Sequence, residues 1–368
     1  MKAKVTKYLE VLRDSKNLLA FSGGVDSSCL FFLLLRENID FDMAIIDYNV
    51  RKEAKKEVKY AQKLAKKYHK KIFILNAEAI KSNFECNARQ VRYAFFEEII
   101  AKHGYQNLIL AHQLNDRLEW LLMQLSKGCG LNSLLGFNAI SEIKTQSHLG
   151  DCSRIYRIVR PMSEISRDKI MAFLKKHKIK YFIDKSNEDS AFKRNYFRKH
   201  FSNKLIKKFK SGILKSFHYL HSDFLALYGE IEIVEIGDIV IFRRDLSDSN
   251  LAKNLQNLAK IDNVAKRFGY VISKKQRDEI LKSGFSCILG DKIIIDSNKS
   301  YIFITKFKKC DSKNHPQNRH KSTKITAKDS TLYHSKAFRE RLRIAKIPPK
   351  IRPFIDEKTL GEIVDSTQ

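Results

Sequence analysis

Short apolar runs recur along the first third of the chain, at Asn17–Phe21, Met43–Asp47, Lys71–Asn76 and Asn107–Ala111. Each has strand length and is bounded by polar or turn-forming residues, which predicts strands rather than helices. Longer segments with apolar positions at helical spacing lie between them, such as Glu53–Tyr68 and Arg89–Ile100. Strands alternating with helices predict βαβ units and an α/β fold, a parallel doubly wound sheet covered on both faces. In such sheets ligands bind beyond the carboxyl ends of the strands, where loops meet helix N-termini.

From Arg160-Pro161 the pattern turns mostly helical, with an amphipathic stretch over Arg167–His177. Beyond it, Ile231–Phe242 alternates like a strand pair, Leu251–Phe268 has helical spacing, and Cys287–Thr305 again alternates. Lys308–Lys328 is polar, basic and poor in apolar residues, the composition of a linker. The expected organisation is a catalytic domain over 1–215 with a basic helical extension from about 160, and an accessory helical and β domain over 216–307. A basic linker over 308–330 and a small C-terminal module over 331–368 complete it, so helical and small α+β modules follow the sheet domain.

Charge changes the picture more than composition does. Hydrophobic residues make up 43%, enough for a core, but 70 Lys and Arg against 41 Asp and Glu give a net charge of +29. Such a field favours polyanions, nucleic acid first, and disfavours acidic partners; a chain rich in Lys throughout would show the same excess. Lys193–Lys215 holds nine Lys or Arg and no acid. The six cysteines form no C-x-x-C pair, which argues against a zinc site or a disulfide scaffold and for a reducing cytosol. No signal-peptide h-region and no membrane-length apolar run is present, so a cytoplasmic protein without a membrane partner is expected.

The sharpest chemical signal is Ser22-Gly23-Gly24-Val25-Asp26-Ser27-Ser28, between the Asn17–Phe21 strand and an apolar helix beginning near Cys29. Two glycines permit a tight turn whose N–H groups point at an anion, the serines add hydroxyls, and the helix N-terminus adds positive potential. This is a phosphate cradle without the Gly-Lys-Ser ending of a Walker loop. A second polar cluster, Ala111-His112-Gln113-Leu114-Asn115-Asp116-Arg117-Leu118-Glu119, follows the Asn107–Ala111 strand and faces the same crevice. Asp116 there reads equally as a helix N-cap with Glu119 closing a capping box, or as a site residue.

The first loop resembles the pyrophosphate-binding loop of ATP pyrophosphatases. The second cluster is similar to the A-H-H-x-D-D-Q-x-E-T motif of tRNA(Ile)-lysidine synthetases, and Lys127-Gly128-Cys129-Gly130-Leu131 resembles the R-G-x-G-L that follows it. Glu85–Phe96 resembles that family's E-x-x-A-R-x-x-R-Y-x-F-F helix, and Arg160-Pro161-Met162 its R-P-L. Asp184-Lys185-Ser186-Asn187 with Arg194–Arg198 resembles D-x-S-N…R-N-x-x-R. The matches keep the family's order over residues 17–201. Looser ones follow at Ile272–Leu281 and Arg343–Pro349, where Arg339, Arg341, Arg343 and Lys346 are either a solvated helix face or phosphate contacts. Departures are Gln113, Asn115, Arg117 and Trp120 for the family's His, Asp, Gln and Thr, and Tyr48 for a His after the second strand.

The resemblance implies an adenine nucleotide alpha hydrolase-like fold and a carbon–nitrogen ligase. ATP with Mg2+ would adenylate C2 of the wobble cytidine in the anticodon loop of an isoleucine tRNA, and free L-lysine would displace AMP to give lysidine. It implies ATP contacts from Ser22, Gly23, Gly24, Val25, Asp26 and Ser27, catalytic parts for Asp26, Asp116 and Arg198, and Mg2+ held by Asp26 and Asp116. Substrate contacts are expected from His112, Arg89, Arg92, Arg194 and Asn195, with Lys207, Lys208 and Lys210 on the tRNA backbone. Two alternatives stand: a tRNA thiolase of the same superfamily, and a catalytically idle RNA-binding protein.

Overall fold

A computed structural model describes residues 8–48, 54–77, 84–144, 155–183, 193–228, 233–245, 250–307 and 334–367. Asp184–Asn187 and the expected linker Lys308–Lys328 lie outside the described residues.

Those up to His221 form one unit. In chain order it runs β1 (Asn17–Ala20), α1 (Val25–Arg36), β2 (Asp42–Asp47), α2 (Ala54–Lys67), β3 (Ile72–Asn76), α3 (Phe84–His103), β4 (Asn107–Ile109) and α4 (Leu114–Leu125). Then come a short α5 (Leu131–Leu134), β5 (Ile140–Lys144), β6 (Ile155–Val159), α6 (Arg167–Lys176), α7 (Lys193–Phe197) and α8 (Asn203–Tyr228). The six-stranded sheet has the order β3-β2-β1-β4-β6-β5. Strands β3, β2, β1, β4 and β6 pair in parallel, and β5 pairs antiparallel with β6 at the edge. The sheet is therefore parallel-dominated and mixed, and β5 and β6 fall in a region where the sequence pattern shows no strand.

Neighbouring residues on each strand serve opposite faces. Leu19, Met43, Ile109 and Val159 pack with α1, α2 and α6, while Leu18, Ala44, Leu108 and Ile158 pack with α3. Such two-sided burial is why these strands read as unbroken apolar runs rather than alternating ones. Strand order reverses between β1 and β4, so the loops leaving those two strands open onto one crevice.

The second unit runs from Ser222. Its five-stranded sheet, β7 (Val234–Ile236), β8 (Ile239–Arg243), β9 (Cys287–Leu289), β10 (Ile293–Ser297) and β11 (Tyr301–Lys306), has the order β7-β8-β11-β10-β9 and is antiparallel throughout. Helices α9 (Asn250–Arg267) and α10 (Lys274–Lys282) cover one face, through Ile261, Val264 and Ile280. Helices α11 (Lys336–Ile344) and α12 (Glu357–Thr367) cover the other, through Phe338, Leu342, Leu360 and Ile363. The C-terminal helices thus share a core with the strands. The division between the units lies inside α8, a few residues beyond the expected 215/216 boundary. None of the helices among the described residues is long and apolar enough to cross a membrane.

Candidate active site

The phosphate loop leaves β1 and enters α1. Gly23 has φ +72°, a backbone conformation that favours glycine, while a Cβ there would meet Glu57 at 3.4 Å and Phe182 at 3.5 Å in ordinary contact, so it is conformation rather than space that calls for glycine. The Phe182 N–H donates to the Gly23 carbonyl at 2.9 Å, bracing the loop from behind. Ser27 is buried; its Oγ lies 3.0 Å from Ser22 Oγ and 3.3 Å from the Gly24 carbonyl. Gly24 is the extended N-cap, so the first-turn N–H groups of α1, from Val25 onward, have no intrahelical acceptor. Those N–H groups and the two hydroxyls lie in the segment Ser22–Ser27, where the sequence predicts an anion cradle.

Asp26 sits in that first turn. Its Oδ2 accepts from Arg167 Nη1 at 3.2 Å, and its buried Oδ1 has no hydrogen-bond partner. Burial raises the carboxyl pKa from 3.8 to about 6; Asp116 and Glu119 push the same way, while Arg167 and Arg198 oppose. A carboxylate with an unshared buried oxygen beside a phosphate cradle is a suitable ligand for Mg2+, which takes one or two carboxylates and completes its shell with water and phosphate.

The loop after β4 shows its own logic. Gln113, not Asp116, is the N-cap of α4, its side chain accepting from the Asn115 N–H at 2.7 Å. Asp116 is the third helical residue and closes the box by accepting from the Gln113 N–H at 2.9 Å. Its other oxygen accepts from Arg194 Nη2 at 2.8 Å. With both oxygens engaged, Asp116 is the weaker of the two expected metal ligands. Its pKa is lowered: burial opposes ionisation, but Arg194, His112, the Gln113 N–H and Arg198 outweigh it.

Glu119 does not take part in the cap. It is fully buried and accepts from Arg194 Nε at 3.0 Å and from Arg198 in a two-pronged contact at 2.7 and 3.0 Å. Arg198 opens a single π-turn, Arg198–Ser202, between α7 and α8; such irregular turns recur at functional sites. The two arginines expected at the substrate thus spend their donors on Asp116 and Glu119. Asn195 is half-buried between them in sequence. The sequence placed Glu119 in a cap because a carboxylate three residues after Asp116 fits that pattern equally well.

His112 accepts from Arg160 Nε through Nδ1 at 3.2 Å, which leaves Nε2 to carry the proton, and its ring lies 4.8 Å from that of Phe137. Burial, then Arg160, Arg194 and Arg89, lower its pKa from 6.5 to about 4 against the opposing pull of Asp116, so the ring is neutral at physiological pH. Arg89 is exposed and lies 4.7 Å over the Tyr93 ring. Arg92 donates to Tyr48 Oη at 3.1 Å, and Tyr48 donates in turn to the Ala88 carbonyl at 3.2 Å.

The other departures from the family motif have local partners. Asn115 Nδ2 donates to Asn203 at 2.7 Å while its Oδ1 accepts from the Arg167 N–H at 3.2 Å. A carboxylate lacks the donor needed for the first bond. The Arg117 guanidinium lies 4.2 Å over Phe217, where α4 packs on α8. Trp120 donates to the Ser133 carbonyl at 3.0 Å, and a Cβ at Gly136 (φ +72°) would lie 2.6 Å from its ring, so the indole pins the 126–138 loop. On α8, Lys207 and Lys208 are exposed, whereas Lys210 Nζ reaches Ser166 Oγ at 3.1 Å.

The PP-loop domain family matches residues 1–205. The tRNA(Ile)-lysidine synthase of Helicobacter pylori (strain ATCC 700392 / 26695) is 41% identical over 349 residues, covering 95% of this chain and 91% of that protein. That of Wolinella succinogenes is 42% identical over 345 residues, covering 94% of each. Among solved structures, the U34-tRNA thiolase NcsA from Methanococcus maripaludis is 17% identical with a TM-score of 0.46, covering 60% of this chain and 77% of that one. The phosphate loop on β1, the motif on β4 and near-full-length identity above 40% converge: the chain is a PP-loop protein and belongs to the tRNA(Ile)-lysidine synthase family.

Proposed function

We propose that the protein uses ATP to join free L-lysine to C2 of the wobble cytidine in an isoleucine tRNA, through an adenylated cytidine, releasing pyrophosphate and AMP. The observation that carries this reading is the shared crevice: the phosphate loop after β1 and the His112–Glu119 cluster after β4 leave neighbouring strands of a parallel sheet. Holding nucleotide, base and amine in line is where such a site gains rate, by positioning and by fixed charge.

In this reading the first-turn N–H groups from Val25 to Ser27 and the Ser22 and Ser27 hydroxyls hold the phosphates. Asp26 holds Mg2+, whose part is to offset phosphate charge. Neutral His112 offers an Nε2–H donor to the cytidine or the nucleotide. Asp116 is kept ionised by its two arginines and is therefore a weak base, so its contribution is electrostatic and positional. Arg194 and Arg198 keep the acids in register and place their charge at the crevice. Arg89, Arg92 and Asn195 line the approach, with Lys207, Lys208 and Lys210 on the tRNA backbone. Sulfur transfer is disfavoured because the six cysteines form no C-x-x-C pair; Cys29 in particular is buried, which pushes its thiol up to about 12.

Nucleoside mass spectrometry of isoleucine tRNA incubated with protein, ATP and lysine tests the proposal. Lysidine at the wobble position is the expected product; unmodified cytidine, or sulfur in the base, overturns it.

A further inference from the structure

The two ion pairs at the crevice differ in how firmly they are held. Glu119 is sealed from solvent and gripped by two guanidiniums. Arg167 and Asp26 touch through a single 3.2 Å contact, with side chains 32% and 27% exposed, and the second Asp26 oxygen has no partner. A pair so open and singly bonded contributes little to stability and is easily exchanged.

The backbone beneath Arg167 is, by contrast, well fixed. Its N–H donates to Asn115 Oδ1, and Asn115 is tied by its amide to Asn203 at the start of α8. The preceding residues are held as well: the Ile165 carbonyl accepts from the Leu114 N–H at 3.0 Å, and Ser166 Oγ accepts from Lys210. Arg167 thus has a rigid root and a weakly held head within reach of the helix N-terminus that carries the phosphate loop. Its planar fork of donors suits phosphate oxygens as well as carboxylate.

Resting on the ATP-site reading above, we infer that Arg167 is a positioning residue that changes partner. It covers Asp26 when no nucleotide is bound, then turns to the phosphates as nucleotide and cation arrive, leaving the carboxylate to the cation. The exchange keeps charge matched at both stages: one cation faces Asp26 before binding, and afterwards the metal faces Asp26 while the guanidinium faces phosphate. Asn115, where the resembled family carries an acid, sets the root of this lever through a donor and an acceptor that a carboxylate cannot both supply.

The test is a pair of affinities measured on the full chain. Mn2+ binding without nucleotide, followed by paramagnetic resonance, and Mg2+-ATP binding by calorimetry are compared for wild type, Arg167→Ala, Arg167→Gln and Arg167→Lys. The Ala and Gln variants are expected to bind Mn2+ alone a few-fold more tightly and Mg2+-ATP about tenfold more weakly, since a charge-assisted phosphate contact is lost. Lys should recover part of the nucleotide affinity. Opposite signs are the signature, because a merely structural role moves both affinities the same way. Parallel losses, or no change in either, overturn the inference; an Ala variant that does not fold leaves the Gln and Lys variants to decide. Wild-type protein that binds no Mg2+-ATP overturns the ATP-site reading instead.

Discussion

Asp26 carries a cost in the nucleotide-free protein. Its pKa stands at about 6 against 3.8 for the free side chain, so between those values the native state holds a proton that the unfolded chain has lost. Stability therefore falls as pH rises from about 4 to 6, and the penalty persists at neutral pH. Asp26→Asn should remove that slope and raise stability at pH 7 by about 2 kcal/mol, with pyrophosphate release abolished; denaturant unfolding at pH 4 and pH 7 reads both slopes. Glu119 should behave in the opposite sense. Replacing it with Gln strands two guanidiniums around a neutral amide, which is expected to cost about 3 kcal/mol, because breaking a buried pair leaves uncompensated charge. An unchanged urea midpoint would mean that solvent already screens the cluster.

The path from α7 through the π-turn into α8 interleaves cations with exposed rings: Tyr196, Phe201 and Phe209 are each more than 40% exposed. Phe209 also marks a kink, with φ −123° and ψ 23° inside the helix. Charged residues alternating with aromatic faces suit a phosphate backbone and unstacked bases. Lys204, Lys207 and Lys208 are exposed, so their joint replacement by Ala should lower the salt slope of tRNA binding by up to about three, roughly one for each lost phosphate contact. Filter binding across a salt series with ATP affinity as control checks this; an unchanged slope removes the element from the tRNA path. Most of these elements were legible because helix and strand periods differ and the strands of the first sheet are buried on both faces. The β5–β6 edge was not: in Ile155–Val159 Arg157 takes an exposed position between buried Tyr156 and Ile158 and so breaks the apolar run, and β5 ends beside residues outside the described structure. The loop motif was legible down to its anions. What each anion binds was not, because a cap and an ion cluster use the same residue spacing, and Arg167 carries no local signal that it meets Asp26, 141 positions away.

Across the whole molecule, each unit buries its own apolar surface. The first centres on the parallel sheet, and the second closes its antiparallel sheet between two helix pairs. Separate cores predict separate cooperative transitions, and ATP should shift only the one belonging to residues before His221. Calorimetric scans with and without Mg2+-ATP check this; a single transition that moves as one would show the units to be energetically coupled. Trp120 turns that expectation into something easily followed. It is the only tryptophan in the chain, it lies in the first unit, and its indole rests on Gly136 within the loop it pins. Its emission is therefore a private optical signal: on heating it reports one unit while far-ultraviolet dichroism sums both, and on adding tRNA it reports what happens at this partly exposed indole and the loop it pins, without any label being introduced.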